Sequence, residues 1–163
     1  MARSLIGFPD PVNENAARLV ATGVVALSVA TIASDQPWLL MPLLNGFVAR
    51  VLTGPRLSPL GLFVTRVVVP RLRAEPRPVP GPPKRFAQGM GVAFSGTAAV
   101  LALGFGQRTA AYVVLGLLIG AASLEAFANY CLGCKVFALL MRAGVIPEEV
   151  CERCADIYAV NRA

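Results

Sequence analysis

The sequence predicts an all-α integral membrane bundle: four transmembrane helices forming two hairpins, an interfacial segment between them, and a cytosolic C-terminal helical hairpin. Three observations lead there. The 163 residues are 56% hydrophobic and only 15% charged, with a mean hydropathy of +0.64, which is more apolar surface than one soluble core of this size hides. The apolar residues gather in membrane-length runs separated by short polar turns or by a proline-rich stretch. The Lys and Arg residues flank those runs and are not interleaved with stacking aromatics on a polar face, so the net charge of +6 speaks for a bilayer and against nucleic acid.

The first fifteen residues are polar and broken by Pro9 and Pro11, with Asp10 and Glu14 where a signal peptide would carry positive charge, so no cleaved signal is expected. The first span is expected over 16–33, uncharged after Arg18 and just long enough for a ~30 Å hydrocarbon core. Ser34-Asp35-Gln36-Pro37 is a tight polar turn. A shorter second span follows over 38–52, with Trp38 placed as an interfacial anchor and Arg50 marking its end. Residues 57–73 are apolar but interrupted by Pro59, Arg66, Pro70, Arg71 and Arg73, too short a run to cross, and are expected to lie in the interface. The stretch 75–83, EPRPVPGPP, reads as an extended linker unable to support a helix.

The third span is expected over 86–105 and the fourth over 109–130, antiparallel because only Gly106-Gln107-Arg108 separates them. Gly116 and Gly120, and Gly91 with Ser95, are small-residue pairs that let helices approach closely in lipid. Such pairs serve packing within a chain more often than a homo-oligomer face, though Gly116 and Gly120 are where a second copy would dock. The chain thus divides into a four-span membrane domain, 1–130, and a cysteine-bearing hairpin, 131–163.

Orientation comes from the basic residues. Eight of the fifteen fall between Arg50 and Arg85, none in the first turn and only Arg108 in the last. The positive-inside rule then puts that connection and both termini in the cytoplasm of a multi-pass inner-membrane protein.

The chemistry lies at the end of the fourth span. All four cysteines are there, as Cys131-Leu-Gly-Cys134 and Cys151-Glu-Arg-Cys154 separated by sixteen residues. That spacing suits a four-thiolate metal site, and equally two redox dithiols. There is no histidine, which excludes Ser-His-Asp and Cys-His catalysis, His-ligated zinc and His-held haem. Glu125, with Asn129 one turn later, is the other informative side chain. It could exchange protons with a thiol, although a carboxylate five residues before the span's end more readily reaches water. A reducing cytosol argues against a permanent disulfide and leaves a cycling dithiol or a metal.

Beyond Cys134, residues 135–143 form an apolar helical run closed by Gly144, and Pro147-Glu148-Glu149 starts a last helix. In a straight hairpin Cys134 and Cys154 come level, whereas Cys131 and Cys151 are offset by ~12 Å. One ion then needs a chain break at Leu132-Gly133. Lys135, Arg142 and Arg153 lie near the thiols and would lower their pKa.

The motifs Asp10-Pro11-Val12-Asn13, Gly54-Pro55-Arg56-Leu57-Ser58-Pro59, Arg85-Phe86-Ala87-Gln88 and Cys131-Leu132-Gly133-Cys134, in this order and spacing, resemble the bacterial domain-of-unknown-function family 4395. The likeness runs to about Met141. It implies a small integral membrane protein in which the Cys131–Cys134 pair is shared and the second pair is not general, and it implies no activity.

Two functions follow. In the first, Cys131 and Cys134 are the principal dithiol of a thiol-redox or sulfur-handling membrane protein, with Glu125 as proton-exchanging group. Cys151 and Cys154 then relay electrons to a cytosolic thioredoxin-like or sulfur-carrier partner, and a quinone is a conceivable oxidant by fold analogy alone. In the second, Cys131, Cys134, Cys151 and Cys154 bind a structural zinc, or less readily an iron-sulfur cluster, that fixes a docking hairpin to the bundle. The first is preferred, because the straight-hairpin geometry parts Cys131 from Cys151.

Overall fold

A computed structural model describes residues 9–72, 75–147 and 150. The first helix, α1 (Glu14–Ser34), starts two residues earlier than expected because the Asn13 side chain caps it by accepting the Asn15 N–H at 3.1 Å. Asp35 ends it in the left-handed conformation, φ 49°. A 3-10 turn, Pro37–Leu39, leads into α2 (Leu40–Thr53). After Gly54 the chain makes three short helical stretches: α3 (Pro59–Phe63), a π-helical turn (Val64–Val68), and α4 (Val69–Leu72). Helix α5 (Gly81–Ala99) runs on through a π-helical turn to Gly104, and α6 (Arg108–Ala128) returns antiparallel to it. The last described helix is α7 (Leu132–Arg142), closed by Gly144 at φ 75°.

Among the described residues, three helices are long and apolar enough to cross a membrane: Glu14–Ser34, Gly81–Gly104 and Arg108–Ala128. The expected second span is a helix too, but its 14 residues reach only about 21 Å, short of a ~30 Å core. It nevertheless lies in the bundle. Helix α2 packs along α5, α5 along α6, and α6 along α1. One core unites Val24 of α1, Leu40, Leu43 and Phe47 of α2, Ala98 of α5, and Ala111 and Leu115 of α6. Alanines recur on the α5 and α6 sides, where small side chains let the helices approach closely enough for van der Waals fit. Gly91 is the tightest such point. A Cβ there would sit 2.2 Å from the Phe47 ring, while Ser95, fully buried, returns its hydroxyl to the Gly91 carbonyl at 2.6 Å.

Two expectations fail here. Residues 75–83 are not a free linker. Pro78–Val79 (β2) pairs antiparallel with Val12–Asn13 (β1), and the Asp10 carboxylate accepts the Gly81 N–H at 3.0 Å. Helix α5 then begins at Gly81, five residues before the expected start, since Pro82 and Pro83 occupy its first turn, where their missing N–H groups cost nothing. Gly116 and Gly120, read as packing points, meet nothing within 4 Å and lie on the open face of α6.

The expected interfacial segment is helical and docks on α1, with Val64 buried against Ala16 and Val20, and Leu60 seated on Gly23. The bundle's two ends differ in charge. At the turn end Arg108 and Tyr112 both donate to the Asp35 carboxylate, tying the α1–α2 turn to the start of α6. The opposite end gathers Arg18, Arg50, Lys84, Arg85 and Glu125. There Arg18 donates to the Ala126 carbonyl and Arg85 to that of Val51, each satisfying an orphan carbonyl of a helix C-terminus.

Candidate functional site

The apolar run of α6 does not continue into the first cysteine. Asn129 takes the left-handed conformation, φ 55°, and the Asn129 and Tyr130 N–H groups turn back to the Leu124 carbonyl, so the helix stops at Ala128. The chain thus breaks before Cys131 and not at Leu132-Gly133, where a single four-thiolate ion would need it to break. Cys131 becomes the N-cap of α7: extended at φ −81° and ψ 101°, its sulfur accepts the Cys134 N–H at 3.3 Å. Gly133 is inside the helix, buried, and required by packing, since a Cβ would come 2.6 Å from the Ala87 Cα of α5. That close approach seats the start of α7 on the first turns of α5, which Phe137 reinforces with its ring tilted at 59° to that of Phe86 and the centroids 5.6 Å apart.

An N-cap sulfur faces the positive end of a helix dipole, which favours its anion. The Cys134 thiol, donating toward Cys131, holds the Cys131 thiol below the usual thiol range, with Lys84 and the Cys134 N–H acting the same way against burial and Glu125. Cys134 moves in the opposite sense. Its proton is held by Cys131, and burial and the Cys131 charge push its thiol well above the usual range. The two cysteines are thus unequal: the N-cap thiol gives up its proton more readily than the second.

The third partner is one that sequence reasoning missed. Lys84, in the first turn of α5, donates to Glu125 at 2.6 Å, with the two side chains 8% and 15% exposed. Glu125 is therefore not a carboxylate reaching water; it is held inside by an ammonium that also acts on both sulfurs. Arg50 was missed as well. Read as the polar end of a span, it is 5% exposed and turned inward, donating from Nε to Gln88 at 2.8 Å and from Nη1 to the buried Ser58 hydroxyl at 3.1 Å. Lys135, expected beside the thiols, lies over the Tyr130 ring at 5.5 Å.

Cys131, Cys134 and Glu125 are thus brought together, and Cys151, Cys154 and the last helix lie outside the described residues. Both described thiols are half-buried and line an open recess of about 320 Å³ shared with Lys84, Tyr130 and Lys135. A reactive group entering it meets Cys131 beside a cation. Comparison with the curated proteins and with the solved structures returned no match. The model of one family, described as a domain of unknown function, does match, over residues 12–142. That span runs from the strand that pairs with β2 to the last residue of α7. It includes Cys131, Cys134, Lys84 and Glu125 and stops before the second cysteine pair. The chain belongs to the family DUF4395.

Proposed function

We propose that this is a four-span membrane protein with both termini cytoplasmic, whose Cys131–Cys134 dithiol performs thiol-disulfide or sulfur-transfer chemistry at the inner face. The observation that carries the reading is the inequality of the two thiols, an N-cap sulfur that accepts the Cys134 N–H and whose thiol is lowered, and a second thiol a turn later that is raised. The chemistry follows from that inequality. The Cys131 thiolate attacks one sulfur of a partner disulfide, forming a mixed disulfide and releasing the other sulfur as thiolate. Cys134 then loses its proton to Glu125 or to that leaving thiolate and attacks Cys131. The Cys131–Cys134 disulfide forms, and two electrons pass to the partner. Lys84 touches no substrate in this scheme and is a positioning residue that favours the thiolate.

The fourth span in this proposal is Pro37–Leu39 plus α2, whose combined length of about 27 Å fits a slightly thinned or mismatched bilayer. Its support is the shared core with the three longer helices and the gathering of basic groups at one end. Reporter fusions after Arg108 and at Ala163 should report opposite sides, and a common side would overturn the orientation.

The thiol reading is tested on purified protein by measuring bound metal and the redox titration of the first pair in Cys151→Ser. Dithiol chemistry predicts that Cys131 and Cys134 still oxidise and reduce reversibly there. One equivalent of zinc per chain, lost equally in each of the four Cys→Ser variants, with no measurable potential for the first pair, would establish the four-thiolate alternative instead.

A further inference from the structure

A second recess lies on the other side of Lys84. It holds about 210 Å³ between the N-terminal segment, the first turns of α1, the end of α2 and the start of α5. Its walls are mostly apolar, from Pro9, Pro11, Val12, Ala16 and Val20, and its polar groups include Arg50, Lys84 and Gln88. Arg50 is the informative one. Its Nε and Nη1 have partners, and its Cζ stacks 4.6 Å from the Phe47 ring centroid, but the buried Nη2 has no hydrogen-bond partner among the described residues. Buried donors left unmatched are exceptions that need a cause, and this one belongs to a charged group, where the penalty is largest.

The charges do not balance either. Arg50 and Lys84 bring two buried cations, and Glu125 is the carboxylate acting on both. Among the described residues one positive charge then remains uncompensated when both cysteines are neutral. The recess exceeds by far the roughly 10–15 Å³ that one water needs, and a water would satisfy the donor without answering the charge.

We propose that this recess binds a monoanionic oxyanion with an apolar body, a carboxylate or a phosphodiester, through the free Nη2 of Arg50 together with Lys84. A guanidinium suits an oxyanion because its planar N–H groups match paired oxygens. The apolar walls call for an organic remainder rather than a bare inorganic ion. A single negative charge closes the balance, and a dianion would reverse it. The ligand comes either from solution as a small carboxylate or from the bilayer as a lipid headgroup phosphodiester. The site does not depend on the cysteines cycling.

The test uses the whole protein in neutral detergent, reading the thermal unfolding midpoint, which a native-state ligand raises saturably. One arm titrates sodium butyrate against butyramide at constant ionic strength, and the other titrates phosphatidylglycerol against phosphatidylcholine. Saturable stabilisation by butyrate alone assigns a soluble carboxylate, by phosphatidylglycerol alone a lipid headgroup, and by both the shared oxyanion chemistry. Arg50→Gln should weaken the response at least about tenfold, and Ala17→Phe, which fills the recess from α1 and leaves Arg50 in the chain, should abolish it. The Cys131→Ser/Cys134→Ser protein should keep it, which separates this site from the thiol proposal. A wild-type response to neither anion, or equal to that of its neutral counterpart, overturns the inference, as does a response unchanged in whichever of the Arg50 and Ala17 variants folds.

Discussion

The Lys84–Glu125 pair should behave as one unit, and a double-mutant cycle on it tests the electrostatic account of the site. At 2.6 Å and an effective dielectric of about 20, the attraction is worth about 6 kcal/mol, but desolvating both groups offsets much of that. Breaking a buried pair by removing one partner costs about 3–5 kcal/mol, whereas replacing both with apolar groups is close to neutral. Lys84→Met and Glu125→Leu are therefore each expected to lose about 3–5 kcal/mol, and the double variant to return to within ~1–2 kcal/mol of wild type. Unfolding by SDS titration from a mild detergent measures all four corners. The thiol gives a second readout on the same proteins, because Lys84 lowers and Glu125 raises the Cys131 thiol. Alkylation of Cys131 near neutral pH should be slowest in Lys84→Met and fastest in Glu125→Leu, with the double variant between them. Additive losses of stability, or alkylation rates indifferent to both charges, would refute the account.

Other consequences concern packing and the far end of the bundle. Gly133→Ala must push α7 off Ala87 and should cost about 1–3 kcal/mol, while Gly120→Ala on the open face should gain about 0.5–1 kcal/mol from helix propensity; similar effects in the two would contradict the packing. Gly81→Ser should destabilise, since a Cβ there meets the Pro9 carbonyl at 2.7 Å, and replacing Val79-Pro80-Gly81 by Ser-Gly-Ser should lower membrane expression, where a free linker would tolerate both. At the turn end, the Tyr112 hydroxyl and then Arg108 hold the Asp35 carboxyl below its ordinary 3.8. A depressed folded value means that its stabilisation is present above 3.8 and is lost as pH falls through the folded value. The difference in unfolding midpoint between wild type and Asp35→Asn should thus close in acid, and a constant difference would remove Asp35 from the linkage.

What the sequence made legible was whatever depends on runs of one polarity. The three long apolar helices, the antiparallel turn at Gly106 and the closing Gly144 follow from length and from residues with one conformational use. Boundaries governed by a side-chain cap or by pairing at a distance were not legible in that way. Asn13 capping α1 and Asn129 turning α6 out of helix are local contacts that runs of polarity do not register, and Val12 pairing with Val79 depends on a neighbour that a linear reading does not bring near. The same limit hid Lys84 and Arg50, whose charges read as markers of span ends. Register offered a signal for the first: about the turn at 106–107, Lys84 and Glu125 fall within ~6 Å of the same depth on antiparallel helices. Two opposite charges at one depth in adjacent spans are a pair in waiting. Arg50 gave no such signal, because its partners Ser58 and Gln88 are neutral and lie on two different segments.

The two proposals meet in one charge balance, which makes a last prediction. With Cys131 as thiolate, the negative charges of Cys131 and Glu125 match the positive charges of Arg50 and Lys84. Forming the Cys131–Cys134 disulfide removes the thiolate and leaves one buried positive charge, which an anion in the recess restores to balance. The anion should therefore bind the oxidised protein more tightly than the reduced one, and by reciprocity it should stabilise the disulfide. For a two-electron couple, each tenfold preference lowers the midpoint potential by about 30 mV. Titrating the Cys131–Cys134 pair in glutathione buffers with and without saturating butyrate, or in phosphatidylglycerol against phosphatidylcholine, should show that negative shift with the ligand that binds. Arg50→Gln should lose it. A potential that is unmoved by a ligand shown to bind would mean that the recess and the thiols do not share their charge, and that Cys134, Lys84 and Glu125 set the ionisation of Cys131 without Arg50.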